Sequence, residues 1–281
     1  MIQGWTAHYL SSGENVGLTK KICNNEISHL DLPAFFKNRF SGIQILKPPV
    51  FIVGCGHSGT TMFRHVLGLH QNIYAVPYEG RIFFHSNIKI RIADAIWSFT
   101  AISKGKTRWL EKTPSHIYHL DRIFQIYPDS RVLLLIRDGR DVAVSLNRRW
   151  GDFGRSVRKW VEDNRAGEPY WGHPMVKKVL YEQLVSDFER QMKAVCTFID
   201  EPFDNTLLSF SDRSSTAQLN DEISNQNGAK PKEFRDKQIA HGLYNANGRW
   251  IAEMTEEQRE IFKRIAGDML IEYGYAEDSS W

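Results

Sequence analysis

Pro49-Val50-Phe51-Ile52-Val53-Gly54-Cys55-Gly56-His57-Ser58-Gly59-Thr60-Thr61-Met62-Phe63-Arg64 packs a strand, a loop and a helix start into one run. Val50 to Val53 is a short apolar segment entered through prolines, the pattern of a strand buried on both faces of a parallel sheet. After Thr60 the apolar positions 63, 66 and 67 recur at helical spacing. The glycine-punctuated turn between them aims successive backbone N–H groups at one point beside the positive end of that helix. Such a turn is a nest for a phosphate or sulfate group. Against the G-x-x-x-x-G-K-[ST] pattern of nucleoside triphosphate sites, Gly54 and Gly59 keep the spacing but Thr60 replaces the lysine. The other reading of this segment alone is a tight strand-to-helix turn without a ligand.

The rest of the chain supplies the partners of an α/β fold. Ile73 to Val76 reads as a second strand, and Glu79 and Arg81 follow just past its end, where ligands collect in open α/β sheets. Glu79 is a candidate general base; the bland alternative is a solvated surface pair with Arg81. Residues 88–103 have helical spacing, with Trp97 and Phe99 as packing residues. Trp109 to Lys112 reads as a strand ending in a lysine, and Pro114 opens the next helix. Arg131 to Ile136 is the clearest buried strand, followed by Arg137 and a helix to Trp150. A magnesium-dependent phosphotransferase is expected to place an acidic ligand at such a strand end, whereas a guanidinium there grips an anion with two hydrogen bonds. Asp138 is the natural N-cap, and Asp141, Ser145 and Arg148 share one helix face. Residues 153–175 read as a helix with an irregular excursion, 175–182 as a strand with Tyr181 at its end, and 182–199 as an amphipathic helix. The polar stretch 209–238 reads as a loop or lid. Thr255, with Gln258 three residues on, caps a final helix to Tyr273, and residues 31–36 read as a capped helical turn.

With 281 residues, 42% of them hydrophobic, the chain can bury the core of one large domain, and a net charge of +3 points to no nucleic-acid or membrane partner. There is no apolar run long enough to span a membrane and no signal-peptide layout, so a cytoplasmic protein is expected. Cys23, Cys55 and Cys196 are too few and scattered for a disulfide framework or a zinc site. Cys55 reads as a small loop residue rather than a reactive thiolate.

Taken in order, Phe51 to Arg64, Lys112-Thr113-Pro114, Arg131 to Ser145, Val179 to Leu184 and Gly248-Arg249-Trp250 resemble a sulfotransferase that uses 3′-phosphoadenylyl sulfate (PAPS). The resemblance covers residues 49–275. Its Ser-Gly-Thr-Thr loop, Glu-x-Arg pair, Arg-Asp-Gly-Arg turn and Tyr-Glu-Gln-Leu segment are similar to tyrosylprotein sulfotransferases and their bacterial relatives. It implies a P-loop-like three-layer α/β fold with a central parallel sheet flanked by helices, in residues 49–281, with 1–48 as an N-terminal extension packed on that domain. Gly56, His57, Ser58, Gly59, Thr60 and Thr61 would hold the 5′-phosphosulfate. Arg137, Ser145 and Arg149 would hold the 3′-phosphate, Tyr181 would contact the nucleotide, and Arg249 would lie near the cofactor. Glu79 would be the base, Lys112 would stabilise charge on the transferring group, and Ser215 would stand near the leaving phosphate. No metal is implied.

One position departs from the pattern: His57 stands where most relatives have Arg or Lys, and it carries full charge only below its pKa. His116, near Lys112, is the second candidate base. The rival functions are a small-molecule kinase, against which Thr60 and Arg137 speak, and an inactive nucleotide-binding relative, which His57 favours. The acceptor hydroxyl is left open among small molecule, sugar, lipid and peptide tyrosine, and homodimerisation is also left open.

Overall fold

The computed structural model describes residues 46–210 and 247–281. The helical turn expected at 31–36, nearly all of the 1–48 extension, Ser215 and most of the polar stretch 209–238 lie outside the described residues. Five strands form one parallel sheet: β1 (Val50–Gly54), β2 (Ile73–Ala75), β3 (Arg108–Lys112), β4 (Arg131–Ile136) and β5 (Val176–Leu180). Their order is β2-β3-β1-β4-β5. The chain works outward from β1 to β2, returns to β3, then crosses to the other side of β1 for β4 and β5. Binding crevices in open α/β sheets form outside the carboxyl ends of the strands at such a reversal.

Alternation along β1 and β4 feeds two apolar layers. Phe51, Val53, Val132, Leu134 and Ile136 pack with Trp97, Trp109 and Ile123 on one face. That face is covered by α2 (Asn87–Ser103) and α3 (Leu120–Ile126). Val50, Ile52, Leu133 and Leu135 pack with Phe63, Val66, Leu67, Met192 and Val195 on the other. These come from α1 (Thr60–Gly68) and from α7 (Phe188–Phe198), the seventh helix along the described chain. A third cluster joins α4 (Gly139–Trp150), α5 (Phe153–Gly167) and the C-terminal helix around Trp160, Phe262 and Leu270. Among the described residues, no helix is long and apolar enough to cross a membrane.

Several sequence expectations are corrected. Tyr181 does not end a strand; it opens the short helix α6 (Tyr181–Ser186). The expected single helix over 182–199 is two, broken at Asp187, whose non-helical backbone at φ −141° and ψ 60° separates α6 from α7. Pro114 opens a 3-10 turn, Pro114–His119, ahead of α3. The capped final helix holds: α9 (Glu256–Glu272) follows the short α8 (Arg249–Glu253), and Thr255 and Gln258 exchange both bonds of a capping box.

Two glycines in the β1–α1 loop differ in what they permit. A Cβ on Gly54 would fall 2.3 Å from the Leu135 carbonyl oxygen, at a backbone φ of +142°. On Gly56 it would meet nothing within 4 Å. Gly54→Ala is therefore expected to cost about 2–4 kcal/mol in urea unfolding, and Gly56→Ala less than about 1 kcal/mol.

Candidate active site

Three adjacent strand ends deliver the chemistry to one rim. β1 runs into the loop 55–59. His57 sits in the left-handed region at φ 69°, and Gly59, at φ +92°, starts α1 without a side-chain cap. The first-turn amides of a helix have no partner within it, so here they are donors available to a ligand. Ser58 donates its amide to the Cys55 carbonyl at 3.3 Å. Its hydroxyl is buried and has no hydrogen-bond partner among the described residues. Residues 54–61 carry hydroxyls, an imidazole and amides but no carboxylate, a donor set that fits an anion.

β3 supplies Lys112. Its Nζ donates to Glu79 Oε1 at 2.7 Å and to Thr61 Oγ1 at 3.2 Å. The lysine side chain is 4% exposed and that of Glu79 29%. Burial pulls the Lys112 pKa below the ordinary lysine value, opposed by the Glu79 carboxylate. Cys55, in the loop above, is fully buried, and burial followed by the nearby Asp163 raises its thiol well above the usual range. It is therefore no thiolate nucleophile.

β4 ends one residue before Arg137. That guanidinium lies 4.3 Å from the centre of the Tyr181 ring, and its Nη atoms reach the His57 carbonyl at 3.4 Å and Asp141 Oδ2 at 3.5 Å. The same tyrosine ring backs the loop, since a Cβ on Gly59 would fall 2.6 Å from it. Tyr181 thus braces both the loop and Arg137 from the start of α6. Ser145 Oγ lies 2.8 Å from His57 Nδ1. The histidine ring is turned toward α4, linking the positions expected to hold the two ends of a nucleotide. Arg149 is exposed one helical turn beyond Ser145.

Arg249 arrives through a residue that the sequence reading left without a role. Asp141 accepts from the Gly248 amide at 3.0 Å and the Trp250 amide at 3.1 Å, pinning the start of α8 to α4. Arg249 and Arg148 both pair with Glu253. Asp138 is the N-cap expected, accepting from the Arg140 amide at 2.9 Å. Ser215 lies outside the described residues. His116, the second candidate base, is fully buried between Phe83 and Glu111 and offers no surface to an acceptor. Glu111 and Glu182 also hold backbone or side-chain donors, Glu111 the Gly80 amide at 2.8 Å and Glu182 the Asp138 amide at 2.9 Å and the Tyr275 hydroxyl at 3.0 Å. Each is a carboxylate embedded in or beside an apolar strand, and that misplacement is the sequence signal that finds them.

Residues 86–205 match a model of the sulfotransferase family. The nodulation protein NoeE of Sinorhizobium fredii is 28% identical over 132 residues, 36% of this chain and 31% of that protein. Protein-tyrosine sulfotransferase A of Caenorhabditis elegans is 27% identical over 206 residues, 59% of this chain and 53% of that protein. The chain therefore matches about a third to a half of the length of these curated relatives. Among solved structures, mouse sulfotransferase SULT7A1 complexed with PAP aligns with a TM-score of 0.55 at 15% identity, covering 79% of this chain and 84% of that one. The sulfotransferase domain of the Synechococcus PCC 7002 olefin synthase aligns with a TM-score of 0.53 at 17% identity, covering 80% and 96%. Residues 86–205 thus resemble the sulfotransferase family, and the described domain shares the fold of solved sulfotransferases.

Proposed function

We propose that the chain transfers a sulfuryl group from PAPS to an acceptor hydroxyl, with Glu79 as the base. The observation that carries this reading is the line Thr61–Lys112–Glu79, in which one buried ammonium joins the anion loop to a partly exposed carboxylate. The donor supplies an activated sulfur–oxygen bond to its 5′-phosphate. The loop amides, with the Ser58 and Thr61 hydroxyls, hold that phosphosulfate end. Arg137, Ser145 and Arg149 take the 3′-phosphate, and Arg249 stands near the nucleotide. Glu79 accepts the acceptor hydroxyl proton as the new oxygen–sulfur bond forms. Lys112 stabilises the negative charge that gathers on the phosphate oxygen as the old bond breaks.

His57 fits this scheme in a changed part. With its ring on Ser145 rather than extended along the loop, it orients the serine for the 3′-phosphate, and the cationic work left by the missing Arg or Lys falls to Lys112. The PAP held by the mouse sulfotransferase of the same fold supports the donor. The acceptor is a hydroxyl on a small molecule, sugar, lipid or peptide tyrosine.

Transfer from labelled PAPS to a panel of hydroxyl acceptors tests the reading. Glu79→Gln is expected to lower kcat by about 10²–10⁴-fold while leaving the affinity for 3′-phosphoadenosine 5′-phosphate (PAP) within about twofold. Unchanged transfer by that variant removes Glu79 from the mechanism, and transfer of the terminal phosphoryl of ATP in place of sulfuryl contradicts the function. A second expectation comes from Lys112. The rate needs its cation, and burial lowers its pKa, so kcat/KM should fall as pH rises through a point below the ordinary lysine range. Lys112→Arg, which stays charged, should abolish that alkaline limb in a pH profile.

A further inference from the structure

On the face of β3 opposite Lys112, a second carboxylate is held with no role in the proton transfer. Glu111 is fully buried, and strand register pairs it with Phe51 while Lys112 pairs with Ile52, so the two neighbours point to opposite layers. Glu111 Oε1 accepts from the Gly80 amide at 2.8 Å and from the Thr113 hydroxyl. Its Oε2 stands 3.1 Å from His116 Nδ1. Thr113 Oγ1 in turn accepts from the Arg81 amide at 3.2 Å. Arg81 is in the left-handed conformation at φ 51°, which a non-glycine residue keeps only when its surroundings hold it there. Gly80 is pressed so closely on the indole that a Cβ would fall 2.7 Å from Trp97, and Trp97 Nε1 donates to Tyr78 Oη at 3.1 Å. Residues on both sides of Glu79 are thereby fastened, Tyr78 to α2 through Trp97 and Gly80 and Arg81 to Glu111 and Thr113 at the end of β3.

We propose that Glu111, seconded by Thr113, is a positioning residue for the Glu79 base. By accepting the Gly80 amide from beneath, it fixes the turn that sets the Glu79 carboxylate on Lys112. A buried carboxylate in a parallel strand is costly unless its oxygens are satisfied; here both hydrogen bonds fall on Oε1, while Oε2 makes none among the described residues and stands opposite His116 Nδ1. Three of the groups around this one belong to the segment carrying the base or to the Thr113–His116 turn, rather than to the general core. The inference rests on the sulfuryl-transfer reading for its kinetic consequence, but its structural part, the anchoring of Gly80, is independent of it.

The test compares Glu111→Gln, which keeps an oxygen for the Gly80 amide, with Glu111→Leu, which does not, and with the milder Thr113→Val. Leu at 111 is expected to lower kcat about 30–100-fold, since a misplacement of the order of 1 Å costs that much, with donor KM and PAP affinity within about twofold. Thr113→Val should lower kcat about 3–10-fold on the same pattern, and Gln at 111 should restore it to within about threefold of the natural chain. Amide hydrogen exchange at Gly80 and Arg81 should speed up at least tenfold in Glu111→Leu and not in Glu111→Gln. Unchanged exchange at Gly80 overturns the proposal whether or not the protein transfers sulfuryl groups. So does an unchanged kcat in folded Glu111→Leu when the natural chain is active. Should Glu111→Leu fail to fold, Thr113→Val decides, and its wild-type kcat and exchange would overturn the proposal. An inactive natural chain that shows the expected exchange pattern counts against the sulfuryl-transfer reading alone.

Discussion

A single buried ammonium ties this site together. Lys112 lies at the carboxyl end of β3, and its only polar outlets among the described contacts are the Glu79 carboxylate at 2.7 Å and the Thr61 hydroxyl at 3.2 Å. Removing one partner of a buried pair leaves a charge that neither solvent nor protein compensates. The Glu79 carboxylate, the lysine and the β1–α1 loop therefore hold their geometry as one unit. The unequal burial of the pair matters chemically: the cation is sealed in, where its field is least screened, and the carboxylate keeps an open side for an acceptor.

The sheet makes this arrangement possible. Because β1 is flanked by β3 and β4, the glycine loop, Lys112 and Arg137 leave the same edge from neighbouring strands. The close approach of β1 and β4 at Gly54 and Leu135, and the Tyr181 ring wedged under Gly59 and Arg137, give the loop a rigid floor. Asp141 adds the C-terminal turn at Gly248–Trp250 to the same rim. Distant parts of the chain are thus joined by backbone amides held on carboxylates as well as by surface ion pairs such as Arg148–Glu253, which contribute less.

Much of this could be read from the sequence because strand ends and glycine spacing are local signals. Strands β1, β3 and β4, the Asp138 cap and the Thr255 capping box follow from apolar runs and single polar residues a few positions apart. What escaped was non-local or depended on a break. Asp187 interrupts a helical pattern that looks continuous over 182–199, and Tyr181 has the same apolar spacing at a strand end as at a helix start. The roles of Asp141 and Glu111 depend on amides 107 and 31 residues away. His57 kept its place in the loop, but the direction of its ring, toward Ser145, is set by the packing of α4, which no local pattern encodes.

The most direct measurement of the central claim is a crystal structure of the protein soaked with PAP. The account expects the 5′-phosphate within hydrogen-bonding distance of the amides of residues 57–61 and of Lys112 Nζ, with the 3′-phosphate on Arg137 and Ser145. A nucleotide bound elsewhere, or bound with its 5′-phosphate away from Lys112, would contradict it.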